Sequence, residues 1–225
     1  MCAEACLVLR LEGPLQAWGT ASQFNRRETD LLPSRSAVMG IICAALGLLR
    51  GSQEEQEFLA QCASLRFKAI AVPRMRHNKE MPVRRLEDYH TVMDTPKADG
   101  GRKDCHITRR QYLMDAAFCA LLVGDRTLLT RAAKALQDPV WGLWLGRKCC
   151  IPSAPVFAGL FNTEEEAFHT CLPRPLAELI WTEDAPPESE GEDSVSDMPL
   201  SFASSSRQFS LRRIRRHQGA ARHAP

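Results

Sequence analysis

The stretch from Leu7 to Gly51 constrains the fold of this chain most strongly. Its first segment, Leu7 to Leu11, is apolar and predicts a strand at the centre of a sheet that ends at Gly13-Pro14. A polar, basic loop follows. The segment from Ala37 to Leu49 is then apolar on nearly every face, which predicts a helix packed against protein on most of its surface. The loop is therefore held beside the core between two rigid elements, a common place for functional side chains.

The start of the predicted helix carries groups that can bind an anion. Ser34 and Ser36 lie where the helix begins, and either hydroxyl can cap it. The free N–H groups of the helix start, the two hydroxyls and the Arg35 guanidinium could together hold a phosphate. Simple capping also explains the two serines, so both interpretations stay open.

Charge is distributed unevenly along the chain, although the formal net charge is only +2. Residues 74–112 carry ten Lys or Arg against six Asp or Glu, whereas residues 183–197 carry seven acidic residues and no basic one. Residues 198–225 carry six arginines and no acidic residue. We therefore expect two basic regions that could meet phosphates.

The cysteines and histidines do not indicate a metal or redox centre. None of the nine cysteines has Cys-x-x-Cys spacing, and the six histidines lack the spacing of metal ligands. Neither a Gly-x-Ser-x-Gly motif nor a nucleotide-binding glycine motif is present, so we expect no cofactor and no catalytic centre. The N-terminus lacks the basic segment of a signal peptide, and the apolar helix is shorter than the ~20 residues of a membrane span. These features predict a reduced, cytoplasmic protein that does not associate with a membrane.

The remaining patterns predict an α+β fold. The pair Ser52 and Glu55 is typical of a capping box at the start of a second helix, and Asp125 is positioned to cap a third. Two alternating segments flank a turn at residues 98–101 and predict a long β-hairpin that projects from the body. Further strands are predicted at Arg66–Val72, Met114–Gly124, Val140–Leu145, Leu176–Trp181 and Phe202–Ile214.

The order of these elements matches the modified ferredoxin-like βαββαβ pattern with a long inserted hairpin. The sequence thus divides into a body (1–73 and 114–182), a basic hairpin (74–113), a mobile acidic linker (183–197), and a C-terminal strand with a basic tail (198–225).

Basic and aromatic side chains lie together near several predicted strand ends. Trp18 precedes Arg26 and Arg27, and Arg147-Lys148 follows a glycine. The sequence Arg109-Arg110-Gln111-Tyr112 ends the hairpin. Arginines interleaved with aromatic rings on a ferredoxin-like sheet are typical of single-stranded RNA recognition. Alternatively, Trp18 belongs to the core, the arginines are merely solvated and Gly146 only permits a turn.

Several of these motifs resemble the CasD family. This is the fifth Cas family of the ferredoxin-like RAMP proteins, found in the type I-E CRISPR surveillance complex Cascade. The resemblance runs from Leu7 to Gly159, in order and with compatible spacing. The motifs that carry it are Leu9–Gly19, Pro33–Ser36, Asp88–Val92, Arg110–Ala116 and Leu145–Cys150, with Arg207-Gln208-Phe209 as a late addition.

The resemblance implies a non-catalytic RNA-binding subunit in which the hairpin is a thumb. Such a subunit binds the 5′ handle of the CRISPR RNA, caps the backbone filament and contacts the large subunit. Its thumb kinks the RNA where handle meets spacer, and it supports target DNA recognition in antiviral defence only through the complex. The RNA contacts implied on the body are Gln16, Trp18, Arg26, Arg27, Thr29, Ser34, Arg35, Ser36, Gly146, Arg147 and Lys148. Those implied on the thumb or its base are Tyr89, His90, Thr91, Arg109 and Arg110.

Two other functions remain open at this point. Type I-C relatives cleave precursor CRISPR RNA without a metal, and Tyr89, His90, Lys103 and His106 could supply the acid, base and cation for such a step. The chain could also be a protein-interaction module that only plugs one end of a filament.

Overall fold

The computed structural model describes residues 3–20, 25–97, 99–186 and 193–219. The helices in these ranges are α1 (Arg35–Leu46), α2 (Gln53–Cys62), α3 (Arg126–Gln137) and α4 (Glu164–Cys171), with a 3₁₀ turn at Leu176–Glu178. The strands are β1 (Glu4–Glu12), β2 (Leu15–Gln16), β3 (Arg26–Arg27), β4 (Arg66–Ala71), β5 (Arg74–Arg76), β6 (Lys79–Met81), β7 (Arg84–Pro96), β8 (Arg102–Met114), β9 (Ala117–Asp125), β10 (Phe157–Phe161), β11 (Trp181–Asp184), β12 (Asp193–Ser201) and β13 (Gln208–His217).

The main sheet has seven strands in the order β10-β1-β9-β4-β11-β13-β12, and its neighbouring strands are antiparallel. Leu7 and Leu9 of β1 face a core shared with α1, α2 and α3, whereas Cys6 and Val8 face a second core beside α4. Burial on both faces explains why β1 is almost continuously apolar. The predicted mixture of helices and antiparallel sheet is confirmed.

Helix α1 begins at its predicted caps but ends at Leu46, before the predicted end at Leu49. Ser34 is the N-cap, and its hydroxyl accepts a hydrogen bond from the N–H of Ala37 at 3.3 Å. Gly47 closes the helix in the left-handed conformation, with φ of 71°. The capping residues Ser52 and Asp125 likewise accept bonds from Glu55 N and Leu128 N.

The long hairpin consists of β7 and β8, which pair antiparallel from Arg84 opposite Met114 to Pro96 opposite Arg102. Its base is extended by the two short strands β2 and β3, both paired with β8. A separate small hairpin of β5 and β6 lies beside it. Most of the β7–β8 hairpin is exposed, in contrast to the main sheet.

Two predicted strands are wrong. Residues 140–145 form no strand, because Val140 and Trp141 donate their N–H groups to the carbonyls of Ala45 and Ala44 at the end of α1. The segment therefore lies across the helix end instead of extending a sheet. The predicted strand at Leu176–Trp181 is a 3₁₀ turn, and strand structure begins only at Trp181.

The described part of the acidic segment is not a mobile linker. Asp184 belongs to β11, and Asp193 to Asp197 belong to β12, which makes both ends of the segment part of the main sheet. The last strand begins at Gln208, later than predicted, and extends to His217. Residues 187–192 and 220–225, which include the middle of the predicted linker and the end of the basic tail, lie outside the described residues.

In the part of the chain that the structure describes, no helix is both long and apolar enough to cross a membrane.

Candidate nucleic-acid interface

Gln16 and Trp18 are structural residues of the body. Gln16 is fully buried, and its Nε2 donates to the carbonyls of Leu11 and Ala116 at 3.2 and 2.6 Å. Its Oε1 accepts from the Trp18 indole N–H at 3.1 Å. The Trp18 ring is 1% exposed and packs edge-on against Phe118, with ring centroids 6.4 Å apart. Burial removes both side chains from the accessible surface, so the expected RNA contacts do not hold there.

Thr29 closes the loop that follows Trp18. Its Oγ1 accepts the N–H of Trp18 at 2.9 Å and donates to the carbonyl of Asp30 at 3.0 Å. The side chain is buried and its hydroxyl is already paired. Thr29 therefore fixes the loop against the body and offers no free group to a ligand.

The N-terminus of α1 already holds an anion from within the chain. The backbone N–H of Arg35 donates to Oδ2 of Asp197 at 2.8 Å, and the Ser34 and Ser36 hydroxyls lie 3.2 Å apart. Asp197 lies where the register of β12 shifts against β13, an irregularity that re-aims a side chain. The phosphate expected at this helix start would compete with a buried carboxylate.

The Arg35 guanidinium, 1% exposed, is also committed inside the protein. It donates to Asp184 Oδ2 at 3.0 Å and to the Cys62 carbonyl at 2.7 Å. Burial lowers the pKa of Arg35, and the nearby Asp184 carboxylate opposes that shift. The predicted contact between this guanidinium and RNA is therefore replaced by an internal ion pair.

Arg212 completes this buried ion network. Its guanidinium bonds to both oxygens of Asp197 at 2.8 Å and to Asp184 at 2.7 Å. Two arginines thus balance two aspartates, which ties the C-terminal strands to the start of α1. We define Arg35, Asp184, Asp197 and Arg212 as the ion network.

Gly146 allows its own loop to approach the backbone of Ala17 closely. It has φ of 98°, and a Cβ there would lie 1.8 Å from the carbonyl oxygen of Ala17. The Leu145 carbonyl accepts the N–H of Ala17 at 3.0 Å. The Gly146 loop and the Gly13–Trp18 segment therefore form one rigid unit.

Arg147 connects this unit to the hairpin. Its guanidinium lies over the ring of Tyr112, 4.6 Å from the centroid. It also donates to the carbonyls of Gln111 and Arg27 at 2.7 and 2.8 Å. Lys148, the next residue, is exposed to solvent.

Strand β3 brings two pairs of arginines together at the base of the hairpin. It pairs parallel with β8, so that Arg26 lies opposite Arg109 and Arg27 opposite Arg110. Arg26, Arg27 and Arg109 are exposed, and Arg110 is half-buried. With Arg147 and Lys148 they form what we call the basic cluster: Arg26, Arg27, Arg109, Arg110, Arg147 and Lys148.

The pairing of β7 with β8 gives the hairpin two distinct faces. Opposed residues share a face, so Tyr89, Thr91, Ile107 and Arg109 lie on one side, the tyrosine face. His90, His106, Thr108 and Arg110 lie on the other, the histidine face. The Tyr89 side chain is 60% exposed, so its ring is available for stacking.

Comparisons with known proteins identify the family. A model of the family described as CRISPR-associated protein (Cas_Cas5) matches residues 6–215. The chain belongs to the Cas5 family.

Relatives of this Cas5 protein agree with that assignment. The CRISPR system Cascade subunit CasD of Escherichia coli (strain K12) is 28% identical over 199 residues, covering 86% of this chain and 88% of CasD. A chain in the structure of a CRISPR RNA-guided surveillance complex superposes with a TM-score of 0.72 at 29% identity, covering 94% of this chain and 88% of that one. A crystal structure of a Cas protein gives a TM-score of 0.60 at 27% identity, covering 94% and 93% of the two chains. The resemblance found in the sequence motifs is confirmed.

The residues that could cleave RNA are divided between the two faces of this Cas5 hairpin. Register places Tyr89 and Lys103 on the tyrosine face, whereas His90 and His106 lie on the histidine face. His106 Nε2 is 2.9 Å from Asn25 Oδ1, and His90 Nδ1 is 3.7 Å from Asp88 Oδ2. One scissile phosphate could not meet all four groups, so this arrangement does not favour the endoribonuclease alternative.

Two residues of the site were not among the predicted RNA contacts. Tyr112 supports Arg147, and Asn25 accepts the N–H of Arg109 through its carbonyl at 2.8 Å. The sequence held one usable signal, the aromatic residue that ends the run Arg109-Arg110-Gln111-Tyr112. No sequence signal indicated the pairing of β3 with β8, because a strand of two residues is too short to show an alternating pattern.

Proposed function

We propose that this protein is a non-catalytic RNA-binding subunit of a type I-E CRISPR Cascade complex, acting in the cytoplasm, and that it binds the 5′ handle of the CRISPR RNA. The observation that carries the proposal is the registered arginine pairing of β3 with β8 beside Arg147 and Lys148. Six cationic residues at the base of one exposed hairpin, with Arg109 and Arg110 on its opposite faces, provide the phosphate contacts that dominate RNA affinity along a strand that passes around this base. Tyr89 adds a stacking surface to the same region.

The topology supports a ferredoxin-like body for this function. In this proposal, strands β1, β4, β9 and β10 correspond to the four strands of the βαββαβ pattern, with α1 and α2 after β1 and α3 after β9. In space they are ordered β10-β1-β9-β4 and are antiparallel. The β7–β8 hairpin is inserted between β4 and β9, where the thumb is expected.

Within the complex, the thumb would kink the RNA where the handle meets the spacer. The body would cap one end of the backbone filament and contact the large subunit, which supports target DNA recognition indirectly. The likeness to E. coli CasD over most of both chains is the support for these partners. Of the predicted RNA contacts, this proposal keeps Arg26, Arg27, Ser36, Tyr89, His90, Thr91, Arg109, Arg110, Gly146, Arg147 and Lys148.

Charge reversal in the basic cluster tests the proposal. We expect Arg26→Glu with Arg27→Glu to lower the RNA retained by the copurified complex at least tenfold and to reduce the salt dependence of binding. The matched control is Arg10→Glu with Lys134→Glu, two exposed cations away from the hairpin. Unchanged RNA content with the first pair would exclude the proposal and favour a filament plug without an RNA contact.

Incubation of the purified protein with repeat RNA in EDTA tests the enzymatic alternative. We expect no specific cleavage product. Cleavage that His90→Ala or His106→Ala abolishes would replace the proposed function by metal-independent processing of precursor RNA.

A further inference from the structure

A cavity of about 330 Å³ lies between α1, the segment 141–146 and the start of β13. Its walls include Ser36 and Gly40 of the helix, Trp141 and Trp144 of the segment, and Phe209 of the strand. Gly146 is one of its lining residues, so the cavity lies beside the loop that carries Arg147 and Lys148. None of the six residues of the basic cluster lines the cavity.

Three aromatic side chains in the cavity walls are partly exposed to solvent. Trp141, Trp144 and Phe209 are 41%, 38% and 37% exposed. Among the described residues, neither tryptophan has a ring partner, whereas Phe209 lies edge-on to Phe202 with centroids 6.2 Å apart. Large rings around a concave site provide stacking surface at the mouth of a cavity.

Two cations and one buried carboxylate line the same cavity, and Oε2 of that carboxylate, Glu55, already accepts the N–H groups of Gly51 and Phe202. Arg50 and Arg207 are exposed, and neither forms an ion pair within the described part of the chain. An aromatic cavity edged by unpaired arginines is complementary to a ligand that has a flat ring and an anionic group. A nucleotide has both, and single-stranded RNA is recognised through unstacked bases on aromatic side chains.

The backbone leaves room for such a ring. A Cβ at Gly40 would meet only the Phe202 ring, at 3.8 Å, so the middle of the α1 face is open. A Cβ at Gly142 would lie 2.9 Å from the Trp144 ring, so glycine there allows the indole to cover the loop. The cavity volume lies at the lower end of the ~300–1,000 Å³ range of ligand pockets, which suits one nucleotide rather than several.

We infer that this cavity is a nucleotide pocket, in which one unstacked base of the bound RNA stacks against Trp144 and Phe209. The adjacent phosphates lie near Arg50 and Arg207. This inference rests on the proposed RNA-binding function, and it extends the contacts already proposed at Ser36 and Gly146 to the aromatic rings of the segment 141–146 and the C-terminal strand.

Binding of a fluorescein-labelled single-stranded RNA octamer of adenosine to the full chain tests the pocket. We expect Trp144→Ala to lower the affinity about tenfold, the size of one lost base stack, with an unchanged salt slope. Trp144→Phe should retain most of the affinity, because it keeps a ring. Arg207→Ala should lower both the affinity and the salt slope, and Trp181→Ala, which removes a ring stacked on His217 instead, is the control.

The outcomes separate this inference from the proposed function. If Trp144→Ala binds the octamer as tightly as the wild type and keeps its thermal midpoint, the pocket is refuted. RNA binding through the basic cluster is not affected by that result. A Trp144→Ala variant that keeps its RNA but loses copurified protein subunits also overturns it and assigns the aromatic rings to a protein contact. A wild-type chain that binds no octamer also overturns the pocket, whereas the RNA content of the copurified complex tests the proposed function separately.

Discussion

The guanidinium of Arg147 lies 4.6 Å from the ring centroid of Tyr112, and this pair fastens the hairpin to the body. The same guanidinium donates to two carbonyls, one on β8 and one on β3. It thereby holds together the strands that display the basic cluster. A side chain predicted as an RNA contact is thus also a structural link between the three parts of the site.

Arg147→Lys should reveal the structural role of Arg147. Lysine keeps the charge but has no planar fork to bond two carbonyls while lying over a ring. We expect a loss of roughly 1–2 kcal/mol in the free energy of unfolding, by analogy with lost hydrogen bonds to a charged group, together with weaker RNA binding. Urea denaturation and RNA titration measure the two effects.

Lys148→Ala is the matched control, since Lys148 is exposed. It should weaken RNA binding and leave stability unchanged within about 0.5 kcal/mol. Equal stability of Arg147→Lys and the wild type would contradict the structural role of Arg147.

Substitution at Gly146 should be far more damaging than at another left-handed glycine. Gly146→Ala places a methyl group where the Ala17 carbonyl oxygen lies, 1.8 Å away, and φ is positive. Gly100→Ala has a similar φ of 83° but meets nothing within 4 Å. The left-handed conformation itself costs about 1–2 kcal/mol in each variant, so the excess in Gly146→Ala isolates the close contact. Thermal unfolding of both variants measures it, and equal losses would rule out the packing argument.

The ion network predicts an asymmetry between two neighbouring aspartates. Asp197→Asn removes one of the two carboxylates that balance Arg212 and replaces an acceptor oxygen, facing either Arg212 or the Arg35 N–H, by a donor, so it should destabilise by about 3–5 kcal/mol. Asp193→Asn breaks an exposed pair with Arg216 and should cost less than about 1 kcal/mol. Chemical denaturation of the two variants gives the comparison. A small loss for Asp197→Asn would mean that water replaces the carboxylate at no great penalty.

Local patterns in the sequence predicted the features that depend on neighbouring residues. The caps at Ser34, Ser52 and Asp125, the buried strand β1 and the paired hairpin all follow from residue type and spacing. The motif resemblance also indicated the family. These features depend on neighbours within a few residues, which a single sequence displays directly.

The features that the sequence did not predict depend on contacts between residues that are far apart in the chain. Asp184 and Asp197 were assigned to a linker because acidic, Ser- and Pro-rich segments are usually solvated, yet both aspartates meet arginines distant in sequence. Trp18 and Arg35 were assigned to RNA because exposed loops often bind ligands, but the Trp18 indole N–H donates to Gln16 and the Arg35 guanidinium pairs with Asp184 inside the body. No local pattern specifies which of many arginines a buried aspartate will meet.

Thiol reactivity offers a last test that reports on the RNA site itself. Burial raises the pKa of the Cys6, Cys43, Cys62 and Cys119 thiols to about 12, so these thiols stay protonated and unreactive at pH 8. Cys149 is exposed, directly after Arg147 and Lys148.

A thiol-specific chromogenic reagent at pH 8 should therefore label Cys149 in its fast phase, and Cys149→Ser should remove one equivalent from that phase. Unfolding in denaturant should release all nine thiols in either case, less the one substituted. Because RNA bound at the basic cluster would cover the Arg147 loop, saturating RNA should slow the labelling of Cys149 several-fold in the wild type. It should have no such effect in the Arg26→Glu, Arg27→Glu variant. Labelling at the same rate with and without bound RNA would place the RNA away from this loop.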